Sequence, residues 1–412
     1  MKKTEECALK LSSLSIYKGI LKRSVPGLFL NLLKQIDSSP SEFLSAWGDF
    51  FSLLCEKGCQ DGLCTYMTKA ALYDENSFSK AAARGQLSSV PKSIISAVER
   101  DIAIITECSM LSPKEIINDY RYKADIYSIV TTLPQWGCGK PLWQMADLDK
   151  AVERSAEFYR KNGCGMFARY KAFIWRDGGI HPVLHPDSIT LEDLKGYSYA
   201  RNLVINNTLA FLNNQSANNC LLYGDKGTGK SSTVKAILNE YFTKGLRVVE
   251  MPKERICDFP LLVDKIAMVP MKFILYIDDL SFQTQDDNYT ALKAVLEGGL
   301  ASRPENTLIY ATSNRRHIVK ETFADREGGE LNRNDQMQES LSLADRFGLS
   351  VNFSAPSKQD YLDIVKAIAD QRGVDMEQSE LFTKAESWAL ERGGRSARCA
   401  RQFVDSLFVD KE

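Results

Sequence analysis

The sequence lacks the features that mark membrane, secreted and zinc-binding proteins. It has no run of about 18 uninterrupted apolar residues, which a membrane-spanning helix needs. Its N-terminal segment also lacks the compact apolar block of a signal peptide. It contains ten cysteines, none of them in a C-x-x-C pair, and only three histidines. We therefore expect a cytoplasmic protein with reduced thiols, with no membrane partner and no disulfide framework or zinc module.

A strong charge of either sign is missing too. The 52 lysines and arginines offset 53 aspartates and glutamates, for a net charge of -1. The overall charge therefore does not indicate a nucleic-acid-binding protein. With 44% hydrophobic and 25% charged residues, the composition is that of an ordinary globular protein. At roughly 150 residues per domain, the length of 412 residues fits two or three domains.

The spacing of apolar residues changes along the chain. Residues 1–165 have mainly helical spacing, which predicts a mostly helical N-terminal domain, followed by a linker over 166–215. Short apolar segments then alternate with helical ones, which is typical of an α/β domain with a parallel sheet, here 216–355. Three helical patterns in 356–412 predict a small C-terminal helical domain. The five predicted strands lie near 220–223, 247–250, 273–277, 308–311 and 349–353.

The strongest functional signal is a phosphate-binding loop. One stretch matches the pattern G-x-x-x-x-G-K-[ST] between an apolar strand and a helix, and it reads Gly224-Asp225-Lys226-Gly227-Thr228-Gly229-Lys230-Ser231, followed by Ser232. The glycines let main-chain N–H groups face phosphate oxygens, and the N-terminus of the helix adds partial positive charge. We expect this whole stretch to bind ATP, with Lys230 on the β- and γ-phosphates and Ser231 on magnesium.

Polar residues also follow two other predicted strands. Asp278 and Asp279 come directly after the apolar segment 273–277, and Asn314 ends the next strand. Open parallel sheets bind their ligands at this edge. Asp278 suits magnesium, Asp279 could polarise an attacking water, and Asn314 could orient that water or contact the γ-phosphate. Taken singly, each residue could also belong to an ordinary polar turn.

Two arginines complete the candidate catalytic set. Arg346 lies in an Asp-Arg-Phe-Gly segment before the last predicted strand and is a candidate to reach the γ-phosphate of a neighbouring subunit. The alternative is a surface ion pair with Asp345 or another carboxylate. Arg395 opens the last helix and is a candidate to fold the helical domain onto ATP. Arg398 and Arg401 have the spacing of an exposed basic stripe.

The order of these segments resembles that of AAA+ ATPases. From about residue 167 to residue 408 the chain is more closely similar to a bacterial family of AAA+ ATPases of unknown function. The segments that carry this similarity are Ala217 to Gly224, Asp278 to Phe282, Leu296 to Gly299, Tyr310 to His317 and Ala400 to Phe403. The resemblance implies a parallel five-stranded sheet, a C-terminal helical lid, and ATP with Mg²⁺ bound at a subunit interface of a homo-oligomeric ring.

The resemblance also implies roles for individual residues. Lys230 and Ser231 correspond to the phosphate-loop pair, and Asp278 and Asp279 to the pair that ends the magnesium strand. Asn314 corresponds to the first sensor, Arg346 to the finger and Arg395 to the second sensor. Gly196 and Tyr197 lie where AAA+ proteins contact the adenine from the linker.

These features predict an enzyme that hydrolyses ATP to ADP and phosphate as an oligomer and remodels an unknown protein or nucleic-acid partner. Most AAA+ ATPases have glutamate where this chain has Asp279, so a slowly hydrolysing binding switch or DNA-associated loader is the alternative. A threading unfoldase is less favoured, because 253–262 contains Phe259 but no glycine. A GTPase is disfavoured by the absence of an N-K-x-D motif, and a P-loop kinase remains a further alternative. The long segment 315–341 is either a partner-binding loop or a solvated one.

Overall fold

The computed structural model describes residues 1–143, 148–281, 287–297, 304–314 and 345–408. It divides the chain into two units, Met1–Arg169 and Tyr170–Glu412. The predicted loop 315–341 lies outside the described residues, as do Phe282 and the glycines at 298 and 299 in the segments that carry the family resemblance.

The first unit contains helices and no strand within its described residues. Two of its helices begin at a capping box followed by proline, Ser39 with Glu42 and Ser112 with Glu115, which satisfies N–H groups that a helix start leaves unpaired. The core is rich in aromatic rings, and the Trp136 ring lies 4.8 Å from that of Trp47. The helices are α1 Lys3–Ser12, α2 Ser24–Lys34, α3 Pro40–Glu56, α4 Leu63–Leu72, α5 Ser77–Ala83, α6 Lys92–Ser109, α7 Pro113–Asp119, α8 Tyr127–Val130, α9 Leu148–Asn162 and α10 Gly165–Arg169.

The second unit is built on a seven-stranded sheet, and the prediction of an α/β fold is confirmed. The strand order is β2-β1-β4-β5-β6-β3-β7, with β1 and β2 antiparallel and the other neighbouring pairs parallel. The strands are β1 Ala172–Arg176, β2 Gly179–Pro182, β3 Cys220–Gly224, β4 Leu246–Glu250, β5 Lys272–Ile277, β6 Thr307–Ser313 and β7 Leu349–Phe353.

The predicted count of five strands is too low. The five predicted segments coincide with β3 to β7, but β1 and β2 add a hairpin beside β4. Its turn is Asp177-Gly178, both residues with positive φ (52° and 70°), and Arg176 pairs with Gly179. An Asp-Gly pair in a two-residue loop is a strong hairpin signal, because both positions must adopt the left-handed region. The prediction of a linker over 166–215 did not take this Asp-Gly signal into account.

Helices cover the sheet and follow it. Residues such as Val204 and Ile237 pack from the helices onto Leu222 and Ile274 of the sheet. Three C-terminal helices bury their own apolar cluster, which includes Tyr361. The helices associated with the sheet are α11 Ser198–Leu212, α12 Lys230–Tyr241, α13 Phe259–Ile266 and α14 Asp287–Glu297. The C-terminal helices are α15 Lys358–Arg372, α16 Gln378–Glu391 and α17 Ala397–Ser406.

The register of the parallel strands brings several loops together at one edge. Tyr223 of β3 lies beside Ser313 of β6, and Ile277 of β5 lies beside Ala311 of β6. The segments that follow β3, β5 and β6 therefore all leave the sheet at its carboxyl edge, where the candidate functional residues are found.

Candidate functional site

The phosphate loop joins the end of β3 to the start of α12. Gly224 has φ of 133°, and a Cβ atom at this position would lie 2.2 Å from the carbonyl oxygen of Phe353. The next N–H, that of Asp225, donates to the same carbonyl at 3.1 Å. Only glycine allows the loop to turn this close to β7. The first glycine of the predicted motif therefore has a direct steric cause.

Lys230 is buried beneath this loop, with 6% of its surface exposed. Its Nζ donates to the carbonyl oxygens of Gly224 at 2.9 Å and Asp225 at 2.7 Å, and it lies 3.4 Å from Oδ1 of Asn314. Burial lowers the pKa of the Lys230 ammonium, although the nearby carboxylates of Asp225, Asp278 and Asp279 oppose this effect. The structure thus places a desolvated cation among oxygen acceptors at the N-terminus of α12.

Asp278 accepts three hydroxyl hydrogen bonds on one oxygen, Oδ1. The donors are Ser231 at 2.8 Å, Tyr276 at 2.6 Å and Thr312. Burial alone would raise the pKa of this carboxyl group, but the hydrogen bonds from Thr312, Tyr276 and Ser231 outweigh it and the pKa is lowered. Asp278 is therefore held as a carboxylate next to the phosphate loop.

Asp279 and Asn314 form a second polar pair beside the first. Asn314 Nδ2 donates to Oδ1 of Asp279 at 2.6 Å. Asp279 has φ of 49°, a left-handed conformation that is uncommon for residues other than glycine, and its N–H donates to Thr312 Oγ1 at 3.0 Å. Two of the residues predicted from separate strands are thus in direct contact.

These groups line a cavity of about 400 Å³ in the second unit. The linker before α11, the phosphate loop, the ends of β5 and β6, and the C-terminal helices all contribute to its wall. Lining residues include Gly196, Tyr197, Lys230, Ile364, Ile368 and Arg398. The lining therefore combines the polar Asp, Asn and Lys groups with aliphatic and aromatic side chains.

The linker side of the cavity is held by Tyr197 and Arg201. The Tyr197 ring lies against that of Phe353 with centroids 5.7 Å apart, and its hydroxyl donates to the carbonyl of Ser354 at 3.0 Å. Arg201, 8% exposed, donates to the carbonyls of the preceding loop, those of Leu191, Leu194 and Gly196. The family resemblance drew attention to Gly196 and Tyr197 but not to Arg201, because a single arginine near a helix start carries no distinctive signal.

Arg395 and Arg398, near the start of the last helix, have different surroundings. Arg395 is bound by Glu386, with Nε and Nη2 at 3.0 and 2.8 Å from the two carboxylate oxygens. It lies outside the described lining of the cavity, whereas Arg398 is part of it. The main-chain N–H of Arg398 donates to the carbonyl of Gly227 at 3.0 Å. Arg398, which the sequence offered with Arg401 as an exposed stripe, is exposed, and of Arg395 and Arg398 it is the one beside the phosphate loop.

Arg346 occupies the turn before β7 and is half-buried. It lies outside the described lining of the cavity formed by its own chain. Its predicted role concerns a neighbouring subunit, so this placement leaves that role a prediction.

The residues around Ser231 suit magnesium rather than a metal held by protein ligands alone. Among the described residues, no cluster of three or more His, Cys, Asp and Glu side chains could hold a metal ion. Magnesium, however, commonly binds one or two protein oxygens together with waters and phosphate oxygens. The hydroxyl of Ser231 and the carboxylate of Asp278, 2.8 Å apart, match that donor set.

Comparisons with known proteins place the second unit in a family. Residues 168–411 match the model of a family described as a protein of unknown function, DUF815. No match to a curated protein is found. Among the described residues, no helix has the length and apolar character needed to cross a membrane.

Solved structures with a related arrangement include the RuvB Holliday junction branch migration motor of Thermotoga maritima. It is 15% identical, with a TM-score of 0.37, over 54% of this chain and 66% of that one, so this chain spans just under two thirds of its length. A point variant of the same protein is 15% identical, with a TM-score of 0.38, over 54% of this chain and 67% of the variant.

Proposed function

The chain belongs to the DUF815 family, and we propose that it is a magnesium-dependent AAA+ ATPase that binds ATP in the cavity of its second unit. The observation that carries the proposal is the convergence of the phosphate loop with the ends of two strands. Ser231 contacts Asp278, 47 residues away, and Lys230 lies within 3.4 Å of Asn314, 84 residues away. A chance glycine-rich turn would not bring these groups together.

The phosphate loop binds the triphosphate in this proposal. Main-chain N–H groups of the loop and the positive end of α12 provide donors and charge, and Lys230 adds a cation. Lys230 now donates to loop carbonyls, and phosphate oxygens are stronger acceptors for an ammonium group. We assign nucleotide binding to the stretch Gly224-Asp225-Lys226-Gly227-Thr228-Gly229-Lys230-Ser231-Ser232.

Ser231 and Asp278 hold the magnesium ion. When bound, the ion neutralises charge on the phosphate oxygens during transfer of the terminal phosphoryl group. Asp278 stays ionised because its hydrogen bonds lower its pKa. The hydroxyl of Ser231 already faces this carboxylate, so both oxygens lie on the same side of the loop.

Asp279 and Asn314 act on the attacking water. A carboxylate can accept the proton of that water, and an amide can orient it. The 2.6 Å contact between the two side chains places them within reach of one small molecule. Asp279 has one methylene fewer than the usual glutamate, so the water must lie closer to the strand.

Arg398 takes the role that the sequence assigned to Arg395 as the second sensor. Its main-chain N–H donates to the phosphate loop and the residue lines the cavity, whereas Arg395 forms an ion pair with Glu386. A cation from α17 that contacts ATP would couple the C-terminal helices, as a lid, to the state of the nucleotide. We propose that Arg346 completes the site of a neighbouring protomer in a homo-oligomeric ring.

The apolar residues of the lining receive the base. Tyr197, Ile364 and Ile368 provide a surface on which a flat heterocycle can pack. The sequence has no guanine-recognition motif, so adenine is the proposed base.

A remodelling role for an unidentified partner fits the site, but substrate threading does not. Phe259, the aromatic residue in the segment after β4, is only 3% exposed. Asp258 beside it accepts a hydrogen bond from Trp175 Nε1 at 3.0 Å. Phe259 is the only aromatic residue of the segment 253–262, so the segment does not present an aromatic side chain to a passing peptide.

A slow ATP-dependent binding switch is the second candidate. The observation that favours it is the Asn314–Asp279 hydrogen bond, which occupies the carboxylate that would activate water. Tight ATP binding with negligible turnover would support the switch, and salt-sensitive retention of DNA in the ATP state would identify it as a DNA-associated loader.

Calorimetry and phosphate release test the main proposal on the full chain. ATP with Mg²⁺ should bind and be hydrolysed, and Lys230→Ala should abolish turnover. Lys235→Ala is a matched control, because Lys235 lies on the same helix, pairs with Asp187 and does not line the cavity. Absence of ATP binding by the wild-type protein would contradict the proposal.

A mixing experiment tests the role of Arg346 between protomers. Lys230→Ala and Arg346→Ala should each be inactive alone. If Arg346 acts on the neighbouring site, mixed oligomers contain some interfaces with both residues intact, and activity should return. A mixture as inactive as its components would contradict action between subunits.

A further inference from the structure

We propose that Tyr276 is a positioning residue for the magnesium site, acting through Asp278. The inference rests on the proposed ATPase function and adds a residue that the phosphate-loop and strand-end motifs do not contain. The Tyr276 hydroxyl donates to Oδ1 of Asp278 at 2.6 Å, and the residue is buried, with 4% of its surface exposed.

The strand geometry explains why this tyrosine reaches the aspartate. Side chains two residues apart on an extended chain lie on the same face, so Tyr276 near the end of β5 shares a face with Asp278 just beyond it. On β6, Tyr310 pairs with Tyr276 and Ala311 pairs with Ile277, so Thr312 lies next to Asp278. Both neighbours direct a hydroxyl to the same carboxylate oxygen.

The three hydroxyl donors to Asp278 differ in their anchorage. Ser231 belongs to the phosphate-loop helix and is the proposed magnesium ligand, so it must exchange its contact when the ion binds. Tyr276 and Thr312 are fixed in buried strands, at 4% and 2% exposure. These two donors therefore keep the carboxylate in one orientation whether or not Ser231 contacts it.

A fixed carboxylate binds an ion better than a mobile one. Without the Tyr276 hydroxyl, Asp278 would lose one of its two strand donors and sample more rotamers, so magnesium binding would have to restrict them. Removal of groups that orient a metal ligand typically weakens metal binding by about 10- to 100-fold. Nucleotide binding in the absence of metal should not depend on this hydroxyl.

The experiment measures metal binding directly, using Mn²⁺ as the probe. The full chain is saturated with ADP, and free Mn²⁺ is followed by electron paramagnetic resonance during titration. Tyr276→Phe should weaken Mn²⁺ binding by about 10-fold. Its affinity for ADP in EDTA should equal that of the wild type.

Tyr310→Phe is the matched control. Tyr310 is the strand partner of Tyr276 and is also buried, but its hydroxyl contacts Thr208 and Asn207 on α11 instead of Asp278. It should keep wild-type Mn²⁺ affinity. An equal loss of Mn²⁺ affinity in both variants would assign the effect to the removal of any buried hydroxyl and would overturn the inference. Wild-type Mn²⁺ affinity in Tyr276→Phe would also overturn it.

A second variant covers the case in which Tyr276→Phe does not fold, as judged by circular dichroism. Thr312→Val removes the other strand donor with little change in shape, and it should also weaken Mn²⁺ binding. Wild-type Mn²⁺ affinity in this variant would refute the argument that donors fixed in the strands orient Asp278. Failure of the proposed function is distinguishable, because then the wild-type protein would not bind ADP at all.

Discussion

The main-chain N–H of Arg398 is hydrogen-bonded to the carbonyl of Gly227 at 3.0 Å, which joins the first turn of the last helix to the phosphate loop. The bond links two segments that are distant in sequence but share one cavity wall. If nucleotide binding shifts the loop, this hydrogen bond would move or strain the start of α17 directly. The first two predictions test this connection.

Replacement of Arg398 should affect turnover more than replacement of Arg395. Arg398→Ala removes a cation from the cavity and should lower kcat by about 100-fold, the usual cost of losing a group that stabilises transition-state charge. Arg395→Ala breaks the ion pair with Glu386 and should mainly lower the thermal stability of the C-terminal helices. Steady-state ATPase assays and thermal melts of both variants check this, and a larger loss of turnover in Arg395→Ala would restore the original assignment.

Gly227→Ala should weaken ATP binding by separating the loop from α17. The added Cβ would lie 2.9 Å from Ser396 Oγ and 3.1 Å from Arg398 Cβ, and φ at this position is 77°. Gly393→Ala is a control with a similar φ of 81° but nothing within 4 Å. Both substitutions carry the backbone penalty of about 1 kcal/mol for a left-handed residue. Only Gly227→Ala should also reduce ATP affinity, as measured by calorimetry, and equal affinities in the two variants would exclude the steric effect.

Asn314→Ala should retain ATP binding and slow the chemical step. If Asn314 orients the attacking water, its loss should reduce the single-turnover rate by about 10- to 1,000-fold. Asp279→Asn should also bind ATP and fail to hydrolyse it. Faster hydrolysis by Asn314→Ala would instead mean that the amide restrains Asp279, which is the behaviour expected of a slow switch.

The stability of the N-terminal unit should depend on pH through Glu115. Hydrogen bonds from Lys3 and from the main chain and hydroxyl of Ser112 lower the pKa of Glu115 from 4.5 to about 2. A carboxyl group with a lowered folded-state pKa stabilises the fold above its unfolded pKa, and this contribution is lost as the pH falls from about 4.5 to about 2.

Denaturant unfolding of Glu115→Gln checks this pH dependence. The Lys3–Glu115 pair is exposed, so Glu115→Gln should cost no more than about 1 kcal/mol at pH 7. The difference from the wild type should shrink across that acid range. A difference in the free energy of unfolding that is constant with pH would contradict the lowered pKa of Glu115.

Local patterns in the sequence were sufficient to locate five of the seven strands, β3 to β7, and the glycine-rich loop after β3. The glycines and Lys230 have fixed spacing because one turn must wrap a phosphate, so a short motif carries the whole signal. The contacts of Asp278 with Ser231, and of Asp279 with Asn314, depend on strand order and register. The sequence indicated that these residues share an edge of the sheet but could not give the pairing.

The positions of the two arginines near the start of α17 could not be deduced from the sequence. Arg395 and Arg398 are three residues apart, and which of them faces the cavity depends on where α17 begins. Ser396 caps that helix by accepting a hydrogen bond from the N–H of Cys399 at 3.1 Å, so Arg398 falls in the first helical turn and Arg395 precedes the cap. The Ser-Ala-Arg-Cys sequence is compatible with this cap but does not require it. Tertiary packing made the choice.

The β1–β2 hairpin has a consequence for any shortened form of this protein. β1 pairs with β4 and so covers main-chain groups that would otherwise lie at an exposed edge of the sheet. β2, the outer strand of the hairpin, ends at Pro182, which has no N–H to donate to a further strand. A fragment that starts after residue 182 would keep the phosphate loop but would expose the unpaired main-chain groups along the edge of β4. Such a fragment would be prone to self-association through strand pairing, whereas one that starts before residue 172 would retain its own protection.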